Sequence, residues 1–149
     1  MADTDLIFEG VLVNQPCRLS ELSREQTLDF GEVNKRDFRD GGKSKSVHFD
    51  ITLEDCVVSG NSVVALTFEG ETDPVQEDMF ALHGDSEGVA VAIRHVNGEI
   101  VKPGVETYPA ALNEGTNKIS WLAYLSGPNL NIIKEGSFNG YVVFTMRYD

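Results

Sequence analysis

The last dozen residues constrain the fold most. Phe138, Gly140, Val142, Phe144, Met146 and Tyr148 occupy every second position up to the C-terminus. A period of two belongs to a β-strand with one buried face. Because the alternation runs to the final residues, no later segment is available to pair with the far edge of this strand. An apolar edge strand of that kind invites pairing with another chain. A second alternating stretch, Leu6, Phe8, Gly10 and Leu12, lies ahead of any globular domain. One end reads as a strand without a neighbour and the other as a strand without a sheet. Together they imply head-to-tail assembly.

Between these ends the chain reads as strands punctuated by turns. Thr4 to Val13 alternates until Gln15-Pro16 breaks it, and Leu28 to Val33 forms a short strand around Asp29-Phe30-Gly31. Residues 36–46 are charged and contain Gly41-Gly42, which predicts a surface loop. From Val47 to Cys56, Val47, Phe49, Ile51 and Leu53 share one face, with His48, Asp50, Thr52 and Glu54 on the other, the pattern of a sheet with one wet side. Further strands are predicted at Val63 to Phe68, at Val89 to Arg94, after the Asn97-Gly98 hairpin signal, and through Ile119, Trp121, Ala123 and Leu125. The final strand is read as opening at Gly136. Leu19 and Leu22 hint at one short turn of helix. Recurrent strands separated by turns predict an all-β sandwich.

The 149 residues suit one domain, and 41% hydrophobic content is enough for a packed core. Twelve basic against twenty-four acidic residues give a formal charge of −12, which repels phosphate backbones and argues against nucleic acid as a partner. No stretch reaches the apolar length of a membrane-spanning helix. Met1-Ala2-Asp3-Thr4-Asp5 is acidic where a signal peptide would be basic, which assigns no compartment because a mature chain has already lost its signal.

Cys17 and Cys56 are the whole thiol inventory. Their placement after the first alternating stretch and at the close of a later strand suits a bridge between neighbouring strands; the alternative is two buried free thiols. A bridge closing a loop of about 40 residues is worth roughly 4 kcal/mol in the chain-entropy account and would place maturation in an oxidising compartment. His48, His83 and His95 stand alone, with no second ligand at metal-binding spacing. There is no G-x-S-x-G, no phosphate-binding glycine pattern, and neither Asp40-Gly41-Gly42 nor Asp85-Ser86-Glu87-Gly88 continues as an EF-hand loop. Neither an enzyme nor a cofactor or metal is expected. Trp121, on an alternating apolar face, is expected in the core rather than stacked on a ligand.

Taken in order, the motifs resemble the pilin subunits of bacterial chaperone–usher fimbriae of the type 1 and P-pilus kind. The resemblance covers nearly the whole chain. It runs from Gly10 and Pro16-Cys17 through Leu28-Asp29-Phe30-Gly31, Phe49-x-Ile51-x-Leu53-x-x-Cys56, Leu66-x-Phe68-x-Gly70 and Gly88 to Ile93. It continues with Leu112-x-x-Gly115-x-Asn117-x-Ile119 and ends with Gly136, fourteenth from the terminus, Phe138, Gly140 and penultimate Tyr148. The two cysteines and the Gly136-to-Tyr148 ending carry most of its specificity.

The resemblance implies an incomplete immunoglobulin-like sandwich, residues 16–149, that lacks its last strand, preceded by a donor-strand extension, residues 1–15. A periplasmic pilus chaperone would lend a strand to the open groove first. At the outer-membrane usher the extension of a neighbouring pilin subunit would replace it, the mode known as donor-strand complementation. The groove and chaperone contact would involve Gly136, Phe138, Gly140, Val142, Phe144, Met146 and Tyr148. The candidate plugs are Thr4, Leu6, Phe8, Gly10 and Leu12. Three large apolar plugs, at roughly 1.5–3 kcal/mol each, amount to about 5–9 kcal/mol before ordering costs. Gly10 is expected where a side chain would strike the groove floor. Thr4 departs from the pattern, since a larger apolar plug would grip better there. Ile7, Glu9, Val11 and Val13 face the other way. The implied function is a structural subunit of an extracellular fimbria that supports adhesion. The alternatives are a surface adhesin or tip adaptor binding a host glycan or protein, and an ordinary first strand of a complete sandwich.

Overall fold

The computed structural model describes residues 4–10, 16–84 and 87–149. It is an all-β sandwich. In chain order the elements are β1 (Thr4–Gly10), β2 (Arg18–Leu19), α1 (Glu21–Arg24), β3 (Glu25–Gly31), a 3₁₀ turn (Lys35–Phe38), β4 (Val47–Cys56) and β5 (Val63–Glu69). They continue with β6 (His83–Gly84), β7 (Ala90–His95), β8 (Ile100–Val101), β9 (Ala110–Ala111), β10 (Gly115–Ser126) and β11 (Phe138–Tyr148). One sheet has the order β3-β1-β11-β5-β9, with β6 against the first residues of β11; the other has the order β2-β4-β10-β7-β8.

The period-2 patterns translate directly into this packing. Along β4, Phe49, Ile51 and Leu53 are buried, and they lie opposite Trp121, Ile119 and Asn117 of β10. Along β11, Phe138, Val142, Phe144 and Met146 are buried. An aromatic cluster joins the sheets: Phe68 lies 5.0 Å from Trp121 and 5.9 Å from Phe144, and Phe8 lies 4.6 Å from Phe49 and 6.1 Å from Phe68, centroid to centroid. Edge-to-face and tilted contacts at these separations add to plain area burial. Trp121 is thus a core residue, in contact with His95 at a centroid distance of 4.8 Å.

Three features differ from the sequence reading. The far edge of the final strand is not bare: β11 lies between β5 and the chain's own β1, so the sheet is completed within one chain. The reason is burial, since Leu6 and Phe8 gain the same core contacts from any slot their backbone can reach, and their own slot is nearest. The helical turn does occur, but Leu22 is 87% exposed and contributes no packing. Hydrogen bonds hold that turn instead: the Ser23 amide donates to Ser20 Oγ (3.2 Å), and the Thr52 amide donates to Ser23 Oγ (2.8 Å). Finally, β7 is buried on both faces, because Tyr124, opposite Ala92 and itself buried, covers the side that alternation assigns to solvent.

Cys17 and Cys56 are joined by a disulfide that ties the segment before β2 to the end of β4. Both are buried, and the Val57 amide donates to the Pro16 carbonyl at 2.7 Å beside the bridge. Replacing both cysteines by serine is expected to lower unfolding stability by about 2–5 kcal/mol, read as a lower urea midpoint with a steeper slope, because the uncrosslinked chain unfolds to a more expanded state.

Candidate functional site

The site is the slot between β3 and β11, and β1 fills it. β1 runs parallel to β11, pairing Leu6 with Gly140, Phe8 with Val142 and Gly10 with Phe144. On its other side it runs antiparallel to β3, pairing Leu6 with Leu28, Phe8 with Gln26 and Glu9 with Glu25. No other strand of this sheet pairs with β3 among the described residues, so without β1 both walls of the slot would present unpaired backbone groups.

Side chains match across the slot by size. A Cβ placed on Gly140 would lie 2.9 Å from Leu6 Cδ1 and 2.8 Å from Leu82 Cδ2. The space a side chain would take at Gly140 is therefore what seats Leu6. The reverse holds beyond Phe8, at the Gly10–Phe144 pair: a Cβ on Gly10 would lie 2.5 Å from Phe144 Cζ and 2.6 Å from Leu19 Cδ2. Glycine stands on the donor strand where the floor is bulky, and on the floor where the donor is bulky. Leu6 and Phe8 are fully buried.

Thr4, which alternation alone makes a weak plug, has a specific role. Its side chain is fully buried and its Oγ1 accepts a hydrogen bond from the Phe138 amide at 3.2 Å. A register shift between Thr4 and Asp5 interrupts the ladder with β3 at this end, and an aliphatic side chain at position 4 would leave the first amide of β11 without that acceptor. On the outer face, the Tyr141 hydroxyl donates to the Glu9 carboxylate, a bond that raises the Tyr141 pKa and adds a strap between β11 and β1. The strap is in place below the ordinary phenol range and is lost as pH rises through the raised value.

Of the residues singled out by sequence, Thr4, Leu6, Phe8, Gly10, Phe138, Gly140, Val142 and Phe144 come together here. Met146 and Tyr148 continue the same face beside β5, where burial raises the Tyr148 pKa. Gly136 sits just before β11, bridged to Val33. Leu12 lies outside the described residues. Sequence reasoning missed the remaining lining, Leu19, Leu28 and Leu82, which three separate segments contribute. Only Leu28 had a signal, its place in a predicted strand. The histidines do not converge: His83 pairs with Glu71, His95 accepts from the Asn97 amide, and His48 lies on the outer face of β4.

Comparison with known proteins places the chain as a whole. Residues 6–149 match the family described as fimbrial protein. The chain belongs to that family. It is 31% identical over 142 residues to Fimbria A protein of Serratia marcescens, covering 95% of this chain and 82% of that protein. It is 30% identical over 142 residues to the major MR/P fimbria protein of Proteus mirabilis, covering 95% and 81%. The solved P pilus rod subunit PapA superposes with a TM-score of 0.79 at 26% identity, over 90% of this chain and 99% of that one. A subunit from a chaperone–usher pilus structure gives 0.79 at 27%, over 95% and 93%. The sandwich of this fimbrial protein is immunoglobulin-like, as in those pilins, and the family is structural rather than enzymatic. Its members build extracellular fimbriae on the bacterial surface.

The size match in the fimbrial subunit is open to a double-mutant cycle. Leu6→Ala is expected to cost about 2–5 kcal/mol and Gly140→Ala about 1–3 kcal/mol. In the double variant the Gly140→Ala cost should shrink in part, because Leu6 Cδ1 is gone while Leu82 Cδ2 remains. Additive losses in urea denaturation would show that the two positions do not share one space.

Proposed function

We propose that this fimbrial subunit polymerises by donating residues 4–12 to the slot between β3 and β11 of a neighbouring copy or sister subunit. Residues 1–15 then act as the donor extension and residues 16–149 as the acceptor domain. A periplasmic pilus chaperone holds the slot before assembly, and an outer-membrane usher is where the chaperone's strand is exchanged. The disulfide suits passage through that oxidising compartment. The resulting filament supports adhesion.

The observation that carries this reading is the size-matched slot itself. Leu6, Phe8 and Gly10 answer Gly140, Val142 and Phe144 in shape, and only short-range strand contacts hold β1 there. Nothing in that set requires the donor to belong to the same chain. Main-chain ladders give affinity and alternate side-chain pockets give specificity whether a strand is added in cis or in trans. Reversing the donor exchanges ladder types on both sides, parallel for antiparallel against β11 and the opposite against β3, so strand direction does not by itself favour the strand's own chain. The pilus relatives and the rod-subunit structures supply the setting.

Removing residues 2–13 should leave a domain that a peptide copying residues 2–14 stabilises, with a melting temperature that rises with peptide concentration. The same peptide carrying Gly10→Leu should bind about tenfold more weakly when it takes the register of β1, where the added side chain meets Phe144 and Leu19. A melting temperature indifferent to the peptide would refute strand donation.

A further inference from the structure

The fimbrial subunit is electrically polar along its length. Five of its twelve basic residues, Lys35, Arg36, Arg39, Lys43 and Lys45, fall within residues 35–45 beside two acidic ones, a local +3 in a chain of −12, so the other 138 residues carry −15. All five are exposed. Among the described residues none of them makes an ion pair; Lys43 instead places its ammonium 5.4 Å above the Tyr124 ring. By contrast Arg18, Lys102, Lys118 and Arg147, spread over the rest of the surface, are each paired with a carboxylate.

The topology places this segment at one end of the molecule. It follows the Gly31 end of β3, its Val33 bridges Gly136 just before β11, and the Lys35 amide donates to Glu135 at 3.0 Å. Its later part bridges Ser126, the last residue of β10. Glu32, Glu135 and Lys134 flank it, and Asp29 and Glu87 lie beside it, so the end as a whole is near neutral while its five clustered cations stay exposed. The opposite end, past the other terminus of β3 and close to the disulfide, is acidic. There Glu9, Glu21 and Glu25 line one shallow depression with Gly10 and a single cation, Arg24. The seven residues of β3 separate the two ends by about 20 Å.

We infer that in the polymer the acidic, disulfide-bearing end of one copy docks on residues 35–45 of the next, and that this contact orients the donated strand. The inference rests on the strand-donation reading above. Five residues connect Gly10 to Pro16, so wherever the donor strand lies, its own disulfide end stays within roughly 20 Å of Gly10. If the strand enters antiparallel to β11, its Gly10 end lies toward Phe138, beside Val33, Gly136 and Lys35 of the acceptor, and acid meets base. If it enters parallel, as β1 does in its own chain, its Gly10 end lies toward Phe144 and the two acidic ends meet. Opposite potentials steer encounter and fix register, while like charges reject the wrong orientation.

The test uses the full chain, refolded at high protein concentration, with polymer growth followed by light scattering and monomer stability by thermal melting. Two charge-reversal variants are compared with wild type: Lys35→Glu/Arg36→Glu/Arg39→Glu at one end, and Glu21→Lys/Glu25→Lys at the other. Each alone should slow growth about tenfold at low salt, with monomer melting unchanged for the lysine and arginine set and raised for the glutamate set, because Glu25 faces Glu9 across the β3–β1 ladder. A chain carrying both sets should recover most of the wild-type rate, because the ends are again complementary. The differences should fade toward 1 M salt, where the screening length is about 3 Å. Equal rates for all variants at low salt, or no recovery when the reversals are combined, would overturn this contact and leave strand donation standing. Failure of wild type to polymerise in any salt would overturn strand donation and this contact with it.

Discussion

Seating Leu6 and Phe8 between the two sheets is the interaction on which the rest of this molecule depends. Phe8 touches Phe49 of the opposite sheet and Phe68 of its own, so one side chain from the N-terminal strand helps close the aromatic core. Among the described residues, β1 is also the strand that joins β3 to β11 in their sheet. Whatever occupies that slot supplies both a core plug and two backbone ladders. A chain with such an arrangement does not hold a finished fold and a separate binding site; occupying the site is the last step of building the fold.

On the strand-donation proposal, that coupling lets the same residues serve two states. In cis, the connection through residues 11–15 keeps the donor at high effective concentration near its own slot. In the proposed trans state, a strand running antiparallel to β11 would read the slot in reversed order, with Gly10 toward Gly140, and would run parallel to β3. The buried Thr4 hydroxyl and the Tyr141–Glu9 strap belong to the cis state, since both bonds depend on the parallel register of β1 against β11. Such polar contacts at the edges of an apolar strand hold it in place without making it permanent.

Charge operates on a longer scale than these contacts. The excess of carboxylates opposes close approach of copies, and in the proposed end-to-end contact the cations gathered at one end would favour a single direction of approach. The Arg147 pairs with Glu106 and Asp149, by contrast, are local: they hold Glu106 below the usual carboxylate range and neutralise a cation that would otherwise add to the surface field.

By itself the sequence determined the strands, the buried face of each and the two unusual ends, because side-chain alternation is a local property of an extended backbone. Phe49, Ile51 and Leu53 on β4, or Phe138 through Met146 on β11, are legible without any knowledge of what covers them. The short strands β2, β6 and β9 were not, since two residues are too few to show a period; nor was the burial of Ala90 and Ala92, which depends on Tyr124 from a neighbouring strand. Only the tertiary structure decided that the N-terminal strand lies parallel beside the C-terminal one in its own chain, that Gly10 and Gly140 are the two halves of one size match, and that Thr4 is an acceptor rather than a poor plug. Each of these joins residues more than 120 positions apart, and alternation reports which way a side chain points but not what it meets.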